Sequence, residues 1–239
     1  AFSLPFVDQK YLLHAHSHFA FSGWLSQLLM AFIIQYLQKK NQYLHFKKYK
    51  LLLWINLISA YGMLLSFPFQ GYGAVSIFFS TLSVFNAYAF AIIVWKDLDL
   101  LPGKNISHLW FKASLLFNVL SSFGAFTLGY LMANKITTQE WYLAAVYMFL
   151  HFQYNGWFFF AAMGLWIQWL IEHNAAPVDA ISKRIFWLFF LAAVPAYFLS
   201  ALWLPMPGWL YTLVVAAAFA QLAGFILLLL RLRKSSIII

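Results

Sequence analysis

The sequence predicts an all-α membrane protein, a bundle of seven transmembrane helices with the N-terminus outside and the C-terminus cytoplasmic. Three observations carry that prediction. Hydrophobic residues make up 64% of the chain and charged residues only 9%, where soluble domains carry about 25% charged residues. Seven apolar stretches are each long enough to cross the hydrocarbon layer, which takes roughly 20 helical residues. Basic residues gather in alternate connections, as the cytoplasmic loops of a multi-pass protein require.

The stretches run over 11–37, 51–69, 72–95, 109–132, 141–171, 185–204 and 208–230. Turn-forming or charged residues separate them. They are Lys39-Lys40-Asn41, Gln70-Gly71, Pro102-Gly103-Lys104, Asn134-Lys135, Asn174 to Lys183, and Pro205-Met206-Pro207. No long polar segment interrupts the series, so residues 1–239 read as one seven-helix domain with no extramembrane part.

Orientation follows from lysine and arginine. The first loop holds Lys39, Lys40, Lys47, Lys48 and Lys50. The third holds Lys96 and Lys104, with Lys112 just inside the next helix. The fifth holds Lys183 and Arg184, and the tail holds Arg231, Arg233 and Lys234. Lys10 and Lys135 fall on the other side. The basic sides face the cytoplasm, and the expected location is the cytoplasmic (inner) membrane. The formal charge of +9 sits in short loops and not on one soluble face, so it points to no nucleic-acid partner. The expected surroundings are the lipid bilayer and a redox partner or larger membrane complex. The first residues, with Pro5 and Asp8, show no basic region before a short apolar core, so no cleavable signal peptide is expected. There is no cysteine, which excludes disulfides, iron–sulfur clusters and thiolate-ligated haem.

The first stretch carries the chemistry. His14, His16 and His18 stand two residues apart in Leu12-Leu13-His14-Ala15-His16-Ser17-His18-Phe19-Ala20-Phe21-Ser22-Gly23-Trp24. Ionisable groups at membrane depth are functional candidates by default, and neutral imidazole is a common metal ligand. Residues four apart share a helix face, so His14 and His18 point one way. His16 lies about 200° around the helix from each. The fifth stretch carries His151 in Leu150-His151-Phe152-Gln153-Tyr154-Asn155-Gly156-Trp157. His18 and His151 each lie about 31 Å from the cytoplasmic end of their helix, counted from Lys39 and Glu172. Two imidazoles at one depth could sandwich a macrocycle or converge on one metal ion. Their tautomers need fixing, and Ser17, Ser22, Tyr154, Asn155 or backbone carbonyls are the expected second partners.

His16-Ser17-His18-Phe19-Ala20-Phe21-Ser22-Gly23 resembles the His-x-His segment of the haem–copper oxidase superfamily, most closely its nitric oxide reductase branch. That resemblance implies that His16 binds a high-spin haem and His18 a low-spin haem. His151-Phe152-Gln153-Tyr154-Asn155-Gly156-Trp157 looks like the segment that carries one histidine of that family's non-haem metal site. The chain departs from the pattern at Asn155, where a reductase carries an acid. It also has seven helices rather than about twelve, and lacks a His-His pair.

Three classes of function follow. The first is a membrane b-type haem protein, with copper, iron or zinc as a second metal, working in electron transfer or in binding or reduction of nitric oxide or dioxygen. The second is a zinc-dependent intramembrane hydrolase with a three-histidine site from His14, His18 and His151, since seven helices with three histidines resemble the ceramidase and progestin-receptor-like membrane hydrolases. The third is a non-catalytic subunit of a respiratory complex. All six acids, Asp8, Asp97, Asp99, Glu140, Glu172 and Asp179, fall in loops or at helix ends. A proton-coupled transporter usually places one at mid-membrane. His45, His108 and His173 are expected at interfaces or in solvent.

Overall fold

The computed structural model describes residues 8–41, 46–103, 105–173 and 180–233. Pro5, His45, Lys104, Asn174, Asp179 and Lys234, invoked above, lie outside those residues. The chain divides into two compact units, Ala1–Pro102 and Gly103–Ile239. Among the described residues every regular element is helical.

Among the described residues the first unit holds three helices. Helix α1, Gln9–Lys40, starts at Asp8, whose side chain accepts from the backbone N–H of Lys10 at 2.7 Å. That satisfies one of the donors left open at a helix start. It ends at Lys39 and Lys40, cations suited to the negative end of the helix dipole. The run is α-helical except for a π-helical segment over Ala20–Ser26. Helix α2, Phe46–Gln70, carries Pro68 in its last turn, and helix α3 spans Ala74–Leu100. The turn between them is tight. Gly71 takes φ +55°, and the Ser76 hydroxyl donates to the carbonyls of both Gly71 and Gly73. A left-handed backbone there favours glycine. A small core of Ala15, Met63 and Phe67 seats the N-terminal part of α1 on α2.

Among the described residues the second unit holds four. Helix α4 spans Ile106–Ala133, with Asn105 capping through the N–H of Ser107 at 3.2 Å. Helix α5 runs over 139–172 as α-helix Gln139–His151, π-helix Phe152–Phe158 and α-helix Phe159–Glu172. Helix α6, Ala180–Ala196, carries Pro195 and passes into a 3-10 turn over Tyr197–Ala201. Helix α7 spans Gly208–Arg233. The core is aromatic. Trp110 and Phe117 of α4 pack on Phe152 and Phe160 of α5 and Phe186 of α6.

Six helices are long and apolar enough to cross a membrane: α1 to α4, Ser182–Ala201 and Gly208–Arg233. The chain is thus a multi-pass membrane protein. Helix α5 is not among the six. Its middle carries His151, Gln153, Tyr154 and Asn155, and its last turns carry Gln168 and Glu172, which dilute an otherwise aromatic run.

Candidate functional site

The histidines of α1 divide between two sides of the helix. His14 and His18 both turn toward the α2–α3 turn. The His18 ring stacks on Phe67 at 4.6 Å between centroids and 12° between planes, and His14 meets Tyr72 edge-on at 5.0 Å. Phe67 is fully buried and packs edge-on against Tyr72 at 5.1 Å. The Gly71 turn is what brings Tyr72 back over α1. The Tyr72 hydroxyl lies 3.4 Å from Nε2 of His18. Burial pushes the Tyr72 phenol pKa upward, so it keeps its proton and can donate to the imidazole. His16 stands apart from this cluster. It is exposed; its carbonyl accepts from the Ala20 N–H, but among the described residues its ring has no hydrogen bond inside the chain. The two sides differ because the second histidine is two residues, and so about 200°, from its neighbours.

The hydroxyls expected to serve these rings bond elsewhere. Ser17 donates to the carbonyls of Leu13 and His14 at 2.9 and 3.1 Å, and Ser22 donates to the carbonyl of His18 at 2.7 Å. Back-bonding to the preceding turn is the usual use of a mid-helix serine. Just beyond His18 the π-helical segment begins. Asn56 of α2 donates to the Ser22 carbonyl within it and to Oε1 of Gln27, both at 2.8 Å.

His151 is buried, with 6% of its surface exposed. Its Nε2 lies 2.8 Å from the carbonyl oxygen of Ala193 on α6. A carbonyl only accepts, so that nitrogen carries the proton. Nδ1 then presents its lone pair to the amide nitrogen of Asn155, 3.2 Å away. Ala193 lies two residues before Pro195, where the regular helix is giving way to the 3-10 turn. Tyr154 is exposed on α5. The second π-helical segment starts directly after His151. A π-segment inserts residues into the α-helical register and often marks functional sites.

His14, His16 and His18 belong to the first unit and His151 to the second. Among the described residues, no group of three His, Asp or Glu side chains is placed to hold one metal ion. His108 is half-buried. His173 is exposed, with Nδ1 2.8 Å from the Trp169 carbonyl.

Two buried polar groups lie outside the expected site residues. Asp97, near the C-terminal end of α3, is buried. It pairs with Lys48 of α2 at 2.6 Å and accepts from the Tyr49 hydroxyl. Its position at a helix end disguised it as a solvated acid. Gln153 is buried against α4, where its Nε2 donates to Oδ1 of Asn118 at 3.0 Å and Oγ of Ser121 at 2.7 Å. Its Oε1 finds no donor among the described residues. The signal was present in the sequence as Asn118, Ser121 and Gln153 in otherwise apolar helices, but their pairing depends on how α4 and α5 pack. No protein-family model, curated protein or solved structure matches the chain.

Proposed function

We propose that this chain is a seven-span protein of the cytoplasmic membrane, N-terminus outside, that binds b-type haem through histidines of α1 and α5. On this reading it works in electron transfer or in binding or reduction of a small gas such as nitric oxide or dioxygen. Helix α5 is counted as the seventh span, because it is helical over 139–172 and a run of that length exceeds the roughly 20 residues a crossing takes.

The observation that carries the reading is His16. An exposed imidazole on a membrane helix, without a hydrogen bond inside the chain, has a nitrogen to give to something else. The donor set fits an iron porphyrin, since neutral imidazole is a standard axial ligand. When bound, the haem supplies the redox chemistry and the affinity for a gas. The chain's own residues do the rest. Phe67 and Tyr72 hold the His14–His18 face in an aromatic setting and fix the His18 ring plane. Ala193 and Asn155 fix the tautomer of His151. A redox partner or larger membrane complex would supply the electrons.

The test is a visible spectrum of the purified protein with metal analysis. A Soret band with α-bands on reduction supports the proposal. A colourless protein with one zinc per chain points instead to the hydrolase, and a colourless, metal-free protein to the subunit reading.

A further inference from the structure

We infer that His14, His18 and Tyr72 form a zinc-binding site within the first unit, three protein ligands to one ion with water as the fourth. The site uses no residue of the second unit and does not rest on the haem proposal.

The sequence supplies the pair of imidazoles. His14 and His18 are four residues apart, so they leave one face of α1 a turn apart. The same spacing holds zinc in helical metalloprotease motifs, where two histidines on one face share an ion. The fold supplies the third ligand. The Gly71 turn carries Tyr72 to that face, where its ring lies 5.0 Å from His14 and 6.1 Å from His18. All three rings pack around Phe67, at 6.3 Å for His14, 4.6 Å for His18 and 5.1 Å for Tyr72.

The spacing of the polar atoms points to a shared ion. Nε2 of His18 and the Tyr72 hydroxyl are 3.4 Å apart, beyond the roughly 2.7–3.2 Å of an ordinary hydrogen bond. Two ligands of a tetrahedral zinc ion, each about 2.0–2.1 Å from the metal, lie about 3.4 Å from one another. The pair is thus set as two corners of a coordination shell. The nitrogen is also in the right state. Tyr72 donates to it, so Nε2 carries its lone pair on the side facing the phenol. The phenol oxygen joins the shell by releasing its proton to solvent, since metal ligands bind deprotonated. Phe67 covers the face of the His18 ring, with 12° between the planes, whereas a metal binds in the plane at the ring's edge. The stacking therefore fixes the ring and leaves the coordinating edge clear.

Other partners do not compete. Among the described residues the His14 ring makes no hydrogen bond, and the hydroxyls of Ser17 and Ser22 donate to helix carbonyls. Tyr72 is 38% exposed, which admits water to the fourth position. Tetrahedral spacing favours zinc over copper(II), which takes square-planar or tetragonal sites. Bound there, the ion ties the N-terminal part of α1 to the turn between α2 and α3. His16, on the other side of α1, takes no part.

The experiment titrates zinc into chelator-stripped protein in detergent micelles, with a chromophoric zinc chelator as competitor. It compares the wild type with His14→Ala, Tyr72→Phe, His16→Ala and His151→Ala. Thermal unfolding with and without zinc is the second readout, because an ion bound only by the folded state raises Tm. The expected result is one zinc per chain in the wild type. Affinity should fall in His14→Ala and Tyr72→Phe by at least the roughly 10–100-fold that loss of an outer-shell partner costs. His16→Ala and His151→Ala should bind as the wild type does. Tyr72→Phe keeps the ring that packs on Phe67, so it reads the oxygen alone, and unchanged affinity in that variant overturns the ligand set. No zinc bound by the folded wild type overturns the inference outright. An equal loss in His16→Ala replaces it with indiscriminate capture by histidines, and a loss in His151→Ala replaces it with the three-histidine hydrolase site. If His14→Ala does not fold, His14→Phe, which keeps a ring against Tyr72, takes its place and is read in the same way. A Soret band in these preparations, present or absent, bears on the haem proposal alone.

Discussion

Helix α1 and helix α5 carry the same histidine, glycine and tryptophan at the same spacing, yet they spend their small-residue face differently. In the first unit Gly23 opens toward α2, and a Cβ placed there would meet Cε2 of Phe19 at 2.8 Å and Cβ of Ala60 at 3.0 Å. In the second unit Gly156 opens toward α4, where a Cβ would collide with Cβ of Phe117. The following helix covers one face and the preceding helix covers the other. The local sequence thus sets the small face, while the neighbour that fills that face is chosen by the rest of the unit. Close approach through small residues is how helices associate in lipid, where apolar surface gives no drive of its own.

The largest expected effect tests that contrast directly. Gly156→Ala forces α5 away from the α4 side chain at its base, close to the backbone, and should cost about 1–3 kcal/mol as overpacking does. Gly23→Ala meets first the edge of a ring that can rotate, and should cost less. Unfolding of both variants in mixed detergent micelles ranks them, and an equal loss would erase the distinction between the two faces. Next comes Gln153→Ala. It strips partners from buried Asn118 and Ser121, and should cost about 1–3 kcal/mol by leaving buried polar groups unsatisfied. Its counterpart on α1, Ala20, already lacks that group, so Ala20→Ser should be close to neutral in the same assay.

His151→Ala should lower stability by about 1–2 kcal/mol through loss of the bond to Ala193. His18→Ala should lower it by about 0.5–1.5 kcal/mol, the worth of an aromatic contact such as the one it makes with Phe67. Thermal unfolding of the haem-free proteins separates these values from any effect of the cofactor. The smallest effect belongs to Asn155→Ser, which gives α5 the residue that α1 carries four positions after its histidine, Ser22. A single polar contact in a membrane protein is worth about 0.6 kcal/mol on average, so the change should be near that size and should leave the Ala193 bond in place. A shift of several kcal/mol would mean that Asn155 holds more than the Nδ1 of His151.

Much of the architecture was legible because lipid is a strict solvent. Apolar runs of spanning length announced themselves, and six of the expected seven are long and apolar enough to cross. The fifth run, at 141–171, has the length of a span, but His151, Gln153, Asn155 and Gln168 dilute its hydropathy. Its helical course over 139–172 is clear. The division of His14 and His18 from His16 was legible too, because helical rotation per residue is fixed. What lay hidden were features that depend on partners. Nothing local to Ala193 says that its carbonyl will accept from an imidazole 42 residues earlier. Asp97 looked like an interfacial acid until Lys48 and Tyr49 closed on it.

By itself the sequence determined a membrane protein of apolar helices and placed three histidines on two sides of the first of them, because hydropathy and helical period are properties of the chain alone. The tertiary structure decided which oxygen addresses each imidazole, where the π-segments fall and which helix fills each glycine face, because these depend on contacts between helices distant in the chain.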